Sequence, residues 1–129
     1  MILEREDKKR ILVAEDEFLS QKLIEADLKS KGYTCTVVNN GEKAVEAMHL
    51  EDFDLVIMDI SMPGMDGLEA TKLIRMDMKK TPILALSAFP EDDYKQRSLD
   101  AGMNDFLNKP YQREDLFGKI KKHLSEEVS

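Results

Sequence analysis

Apolar residues along this chain follow two patterns in turn. Ile11-Leu12-Val13-Ala14, Leu55-Val56-Ile57-Met58 and Ile83-Leu84-Ala85-Leu86 are unbroken apolar runs, as expected of strands buried on both faces. Tyr33 to Val38 is β-rich but mixed, and Asp105-Phe106-Leu107 is short, which suits sheet edges. Between these runs the apolar positions take helical spacing. Glu17 to Lys31 carries Leu19, Leu23 and Ala26, with Ile24 and Leu28 beside them, and Gly32 closes it. Ala44, Val45, Ala47 and Met48 mark a second helix after the turn Asn39-Asn40-Gly41, ending near Glu51. Leu68 to about Met76 reads as a third, and Tyr94 to Ala101 as a weaker fourth stopped by Gly102. Leu116, Phe117, Ile120 and Leu124 give a last helix one apolar stripe.

Strands alternating with helices predict an α/β fold with a parallel sheet covered on both faces. With the mixed strands at the edges, the expected order is 2-1-3-4-5, a flavodoxin-like (βα)5 three-layer sandwich. A chain of 129 residues holds one such domain. It is placed at residues 10–124, with tails at 1–9 and 125–129 that should fray. No apolar run is long enough to cross a bilayer, and the charged start, Glu4-Arg5-Glu6-Asp7-Lys8-Lys9-Arg10, lacks the apolar stretch of a signal peptide. The single Cys35 excludes an internal disulfide, so a reducing, cytoplasmic setting is expected. A net charge of −7 argues against a nucleic-acid surface.

The chemistry gathers at the carboxyl ends of the strands, where open α/β sheets bind ligands. The first strand ends in Glu15-Asp16-Glu17, the third in Asp59, the fourth in Ser87-Ala88 and the fifth in Asn108-Lys109-Pro110. Parallel strands bring these groups to one rim. Glu15, Asp16 and Asp59 would repel one another there, and a hard divalent cation such as Mg²⁺ relieves that. Glu17 by itself reads as a helix N-terminal acid. Ser87 alone would be a turn residue and Lys109 alone a solvated charge. Beside a carboxylate, together, they can neutralise phosphoryl oxygens. Pro110 makes the preceding peptide bond a candidate for cis, the alternative being an ordinary helix N-terminal proline. Met62 and Met65 read as packing residues. His49 and His123 read as surface residues, and Lys119, Lys121 and Lys122 as complements to a helix dipole.

The set Ala14-Glu15-Asp16, Met58-Asp59-Ile60-Ser61-Met62-Pro63-Gly64-Met65-Asp66-Gly67, Leu86-Ser87-Ala88 and Asn108-Lys109-Pro110 resembles the receiver domain of two-component response regulators. The resemblance runs from about Arg10 to Leu124, and some segments are similar to receivers of hybrid histidine kinases. It implies that Asp59 accepts a phosphoryl group from a phosphohistidine. It implies that Asp16 and Asp59, with the backbone carbonyl of Ser61, ligate Mg²⁺, and that Glu15 acts through water or at longer reach. Ser87 would be the switch hydroxyl, Lys109 the phosphate-binding cation and Phe106 the switch aromatic. The implied partners are a histidine kinase or histidine phosphotransfer protein and a downstream protein target, with a phosphorylation-dependent dimer as one mode of output. Ser87 stands where Thr is commoner, and Phe106 lacks the hydroxyl of a Tyr. Three rivals are weaker. A phosphatase of the haloacid dehalogenase type would place an Asp two residues after its nucleophile, where this chain has Ser61. A flavin carrier would not put Glu15-Asp16-Glu17 in its first loop. A pseudo-receiver serving only protein contacts would not need the complete set Glu15, Asp16, Asp59, Ser87 and Lys109.

Overall fold

The computed structural model describes residues 8–124. Most of the expected tail at 1–9, and all of that at 125–129, lie outside the described residues. Five parallel strands form one sheet in the order β2-β1-β3-β4-β5, as the pattern predicts. They are β1 Arg10–Ala14, β2 Thr34–Val38, β3 Leu55–Asp59, β4 Ile83–Ser87 and β5 Asp105–Asn108. The helices are α1 Phe18–Ser30, α2 Gly41–Leu50, α3 Gly67–Met76, α4 Glu91–Ala101 and α5 Arg113–Leu124. β3 and β4 are buried along their whole length, and β2 is half-buried at best.

The pleat sorts the core into two layers, because successive side chains point to opposite faces. Leu12, Val56, Met58, Ala85 and Phe106 pack under α2, α3 and α4, with Met48, Ile74 and Ala101. Ile11, Val13, Ile57, Leu84 and Leu107 pack under α1 and α5, with Ile24, Leu28, Leu116 and Ile120. Each Val, Leu, Ile, Met or Phe among them stabilises the fold by roughly 1.5–3 kcal/mol when fully buried.

Two helices differ from the pattern reading. In α1 the apolar stripe Leu19, Leu23, Ala26 faces solvent, and the neighbouring Ile24 and Leu28 meet the sheet. Both sets have helical spacing, so periodicity alone could not choose between them. The fourth helix starts at Glu91 rather than Tyr94. Glu91, Asp92 and Asp93 fill its first turn, where the helix dipole favours acids. Asp66 caps α3 by accepting the Glu69 N–H at 2.8 Å. A Cβ at Gly67 would lie 2.2 Å from the Asp59 carbonyl oxygen, so only glycine lets α3 start so close to the end of β3.

Candidate functional site

Glu15 and Asp59 are buried at the strand ends, and Asp16 beside them is exposed. One carboxylate oxygen from each of the three lies within 4.8 Å of the others. Lys109 reaches into the group: its Nζ lies 2.6 Å from Glu15 Oε1 and 2.8 Å from Asp59 Oδ2. The peptide bond between Lys109 and Pro110 is cis, and α5 begins three residues later at Arg113, so Pro110 does not open the helix. The strand alternation accounts for the meeting. Glu15 continues the row of Ile11 and Val13, Asp59 that of Leu55 and Ile57, and Lys109 follows Leu107, all on the α1–α5 side of the sheet.

Backbone donors fix the acids. The Ser61 N–H donates to Asp59 Oδ1 at 2.9 Å, and the Glu17 N–H donates to Glu15 Oε2 at 3.0 Å. Glu17 caps α1 by accepting the Ser20 N–H at 3.1 Å, in keeping with its reading as a helix N-terminal acid. Burial pushes the Glu15 carboxyl above its ordinary range, and the Lys109 hydrogen bond only partly opposes this. Burial alone would push Lys109 down, but hydrogen bonds and charges from Asp59 and Glu15 outweigh it and hold the ammonium above the usual lysine range. Three carboxylates and one ammonium leave two negative charges, which matches one divalent cation. The donor set is all oxygen, as Mg²⁺ requires, and so the residues present fit that ion.

Ser87 and Phe106 lie on the other row. Ser87 is fully buried, and its Oγ accepts the Phe89 N–H at 2.8 Å. Phe106 is 4% exposed and lies inside the layer under α4, where Phe89 and Tyr94 stack at 4.5 Å above the core. Met62 is buried and Met65 partly so, both packing in that same layer. His49 is exposed, 3.6 Å from Asp77. His123 departs from the surface reading: its side chain is 16% exposed and its Nε2 lies 2.8 Å from Asp105 Oδ2. Lys119 and Lys122 approach the same carboxylate. Burial would raise the Asp105 pKa, but His123, the Phe106 N–H and Lys119 bring it down to about 2.

The family model of the response regulator receiver domain matches residues 11–121. The chain belongs to the response regulator receiver domain family. It is 41% identical over 130 residues to hybrid signal transduction histidine kinase B of Dictyostelium discoideum, covering 90% of this chain and 7% of that protein. It is 38% identical over 117 residues to transcription factor SKN7 of Candida albicans, covering 91% of this chain and 21% of that one. Among solved structures it is similar to the receiver domain of sensor histidine kinase PA1611 from Pseudomonas aeruginosa. That match has a TM-score of 0.86 at 36% identity, covering 92% of this chain and 99% of the other, whose structure holds a magnesium ion coordinated in its active-site cleft. The receiver of a signal transduction histidine kinase from Syntrophus aciditrophicus matches with a TM-score of 0.83 at 30% identity, over 94% and 97% of the two chains. The chain spans only 7% to 52% of the length of these and other curated relatives. This is a receiver domain of two-component signalling.

Two features of the site region are not visible in the motifs. The side chain of Asn108 holds the β4–α4 loop by the Phe89 carbonyl at 2.7 Å and lies 3.4 Å from the carbonyl of Ser87 at the end of β4. Phe18, Leu19 and Leu23, 69%, 60% and 57% exposed, leave an apolar face on α1 just after the acidic loop. Only the surplus of apolar residues in α1, more than one stripe can hold, hinted at the second.

Proposed function

We propose that this receiver is a phosphoacceptor switch in which Asp59 takes a phosphoryl group from a phosphohistidine. The supporting observation is the setting of Asp59: a buried carboxylate with Ser61 N–H on one oxygen and Lys109 Nζ on the other. An Asp59 oxygen forms a bond to phosphorus as the bond from the histidine nitrogen to phosphorus breaks, and the electron pair returns to the imidazole. Lys109 is placed to meet the phosphoryl oxygens as their charge redistributes. Asp16, Asp59 and the Ser61 carbonyl would hold Mg²⁺, with Glu15 at longer reach. When bound, that ion supplies positive charge to the same oxygens. The Ser87 hydroxyl, one strand over, is the group that can follow the new acyl phosphate. Its movement changes the loop packed over Phe106, a population shift between two arrangements.

The phosphohistidine must be delivered to the rim, and the surface beside it is the exposed apolar face of α1. A histidine kinase or phosphotransfer protein is the donor that this surface suits. A downstream protein would read the α4–β5–α5 side. The domain turns over no external substrate on this reading, beyond its own phosphorylation and dephosphorylation, and it works in the cytoplasm. Incubation with acetyl phosphate and Mg²⁺ should add one phosphoryl group, read by mass spectrometry of the intact protein. Asp59→Asn should abolish it, since an amide is no nucleophile. Labelling that persists in that variant, or that maps to Ser87, would overturn the assignment.

A further inference from the structure

Both backbone groups of Phe89, two residues past the end of β4, are engaged. Its N–H donates to Ser87 Oγ at 2.8 Å, and its carbonyl accepts Asn108 Nδ2 at 2.7 Å. The same Asn108 amide lies 3.4 Å from the Ser87 carbonyl. Both partners of Nδ2 are carbonyl oxygens, which only accept, so the orientation of the amide is settled by its neighbours. Asn108 is paired with Ser87 in the β4–β5 ladder and shares its row with Phe106. It also lines, with Phe106, Tyr111 and Glu91, a cleft of about 360 Å³ on the α4–β5–α5 side. Its side chain therefore lies between the switch hydroxyl, the switch aromatic and the surface that would be read.

An Oγ held by the Phe89 N–H occupies one rotamer. To follow a phosphoryl oxygen, Ser87 must either leave that N–H or bring Phe89 with it. Asn108 resists the second course, because its amide ties Phe89 to β5. It also strengthens the first bond by keeping the Phe89 N–H in place.

We infer that Asn108 is a positioning residue, a latch whose side-chain amide holds the β4–α4 loop in the arrangement where Ser87 Oγ accepts the Phe89 N–H, and so sets how readily Ser87 is released. This rests on the phosphoacceptor reading and adds to it a residue that touches neither phosphoryl group nor metal. A latch on that arrangement lowers the fraction of molecules whose Ser87 is free to meet the phosphoryl group, and apparent affinity falls by that fraction. Removing it should tighten binding of a phosphoryl mimic while leaving the metal alone. A merely structural asparagine would, on removal, lower stability and weaken or leave unchanged both affinities.

The test measures two dissociation constants by amide chemical shifts, for Mg²⁺ alone and for beryllofluoride at saturating Mg²⁺. The proteins are wild type, Asn108→Ala and Asn108→Leu, the last keeping the side chain's shape without its donor. The expected result is unchanged Mg²⁺ affinity and beryllofluoride binding tighter by about fivefold, the factor that one ordinary hydrogen bond makes in an equilibrium. Asn108→Leu carries the test if the alanine variant folds poorly. Unchanged or weaker beryllofluoride binding in a folded variant overturns the latch. Failure of wild type itself to bind beryllofluoride overturns the phosphoacceptor reading, and the latch with it.

Discussion

Deleting the Lys109 ammonium is the sharpest test of how the acidic site is held together. Its Nζ lies 2.6 Å from a Glu15 side chain that is 1% exposed and 2.8 Å from an Asp59 side chain that is 5% exposed. Lys109→Met keeps most of the side chain's length and apolar contact and removes the charge. Two buried carboxylates then share a site without a cation. Removing one partner of a buried ion pair costs roughly 3–5 kcal/mol. Proton uptake sets a ceiling: a carboxyl with an ordinary pKa of 4.5 can be neutralised at pH 7 for about 3.4 kcal/mol. The expected loss of stability without metal is therefore about 3 kcal/mol, near the lower end of the pair-breaking range. Mg²⁺ should reverse much of it. Lysine and the divalent cation compete for the same carboxylates, so the variant should need less Mg²⁺ than wild type for the same stabilisation. A single site at a hundredfold excess over its dissociation constant supplies about 2.7 kcal/mol. Urea unfolding followed by circular dichroism, in a chelator and then across a Mg²⁺ series, reads both effects. A metal-free loss below about 1 kcal/mol, the level of an exposed pair, would refute the view that Lys109 is the site's counter-charge. So would a variant that needs more Mg²⁺ than wild type.

Three other perturbations probe different parts of the molecule. Asp59→Asn removes one of three mutually repelling carboxylates while Glu15 still pairs with Lys109, so the metal-free protein should gain on the order of 1 kcal/mol; urea unfolding in a chelator that shows a loss instead would mean that pairing outweighs repulsion at Asp59. Asp105, held down to about 2 against an ordinary 3.8, stabilises the fold above pH 3.8, and this contribution is lost as pH falls through the depressed value. Asp105→Asn should therefore cost about 2 kcal/mol at pH 5, with the gap to wild type closing toward pH 2 in denaturant titrations; a gap that does not narrow would contradict the pairing with His123 and Lys119. Leu23→Ser, on the exposed side of α1, should move stability by no more than about 0.5 kcal/mol and leave acetyl phosphate labelling intact while slowing phosphotransfer from a phosphohistidine protein; equal rates from that protein would place the donor elsewhere.

The strands were legible because their burial is extreme. β1, β3 and β4 show unbroken apolar runs of four residues, too short for a buried helix and as expected of strands covered on both faces. The edge positions of β2 and β5 followed from their mixed composition, and the shared rim followed from parallel strands alone. Helix α1 was harder for a physical reason: Phe18, Leu19 and Leu23 on one side and Ile24 and Leu28 on the other give it two apolar stripes. A periodic pattern gives the spacing of a face but not which face meets the sheet. The start of α4 was missed because Glu91-Asp92-Asp93 carries no apolar signal, although the dipole favours acids there. His123 and Asn108 escaped for a different reason. The first owes its place to Asp105, 18 residues earlier, and the second to backbone carbonyls 19 and 21 residues away. A carbonyl has no signature in sequence, so a side chain that serves one cannot be found by motif.

The pleat divides the site in a way that bears on how it would signal. Glu15, Asp59 and Lys109 stand on the α1–α5 side of the sheet edge, and Ser87, Phe106 and Asn108 on the α4 side. The exposed apolar face of α1 adjoins the first row, and the cleft beside Phe106 and Asn108 adjoins the second. A donor bound to α1 would thus leave the α4–β5–α5 surface uncovered, so phosphoryl arrival and its readout need not compete for the same area. The Lys109 N–H donates to the Ser87 carbonyl at 2.7 Å, and on the proposed phosphoacceptor reading the Ser87 hydroxyl is the group of the second row that turns toward Asp59. A switch that crosses the sheet edge at one hydroxyl can be tuned without touching its chemistry, by whatever holds that hydroxyl at rest. In this chain the groups that do so are the Phe89 N–H and the Asn108 amide behind it.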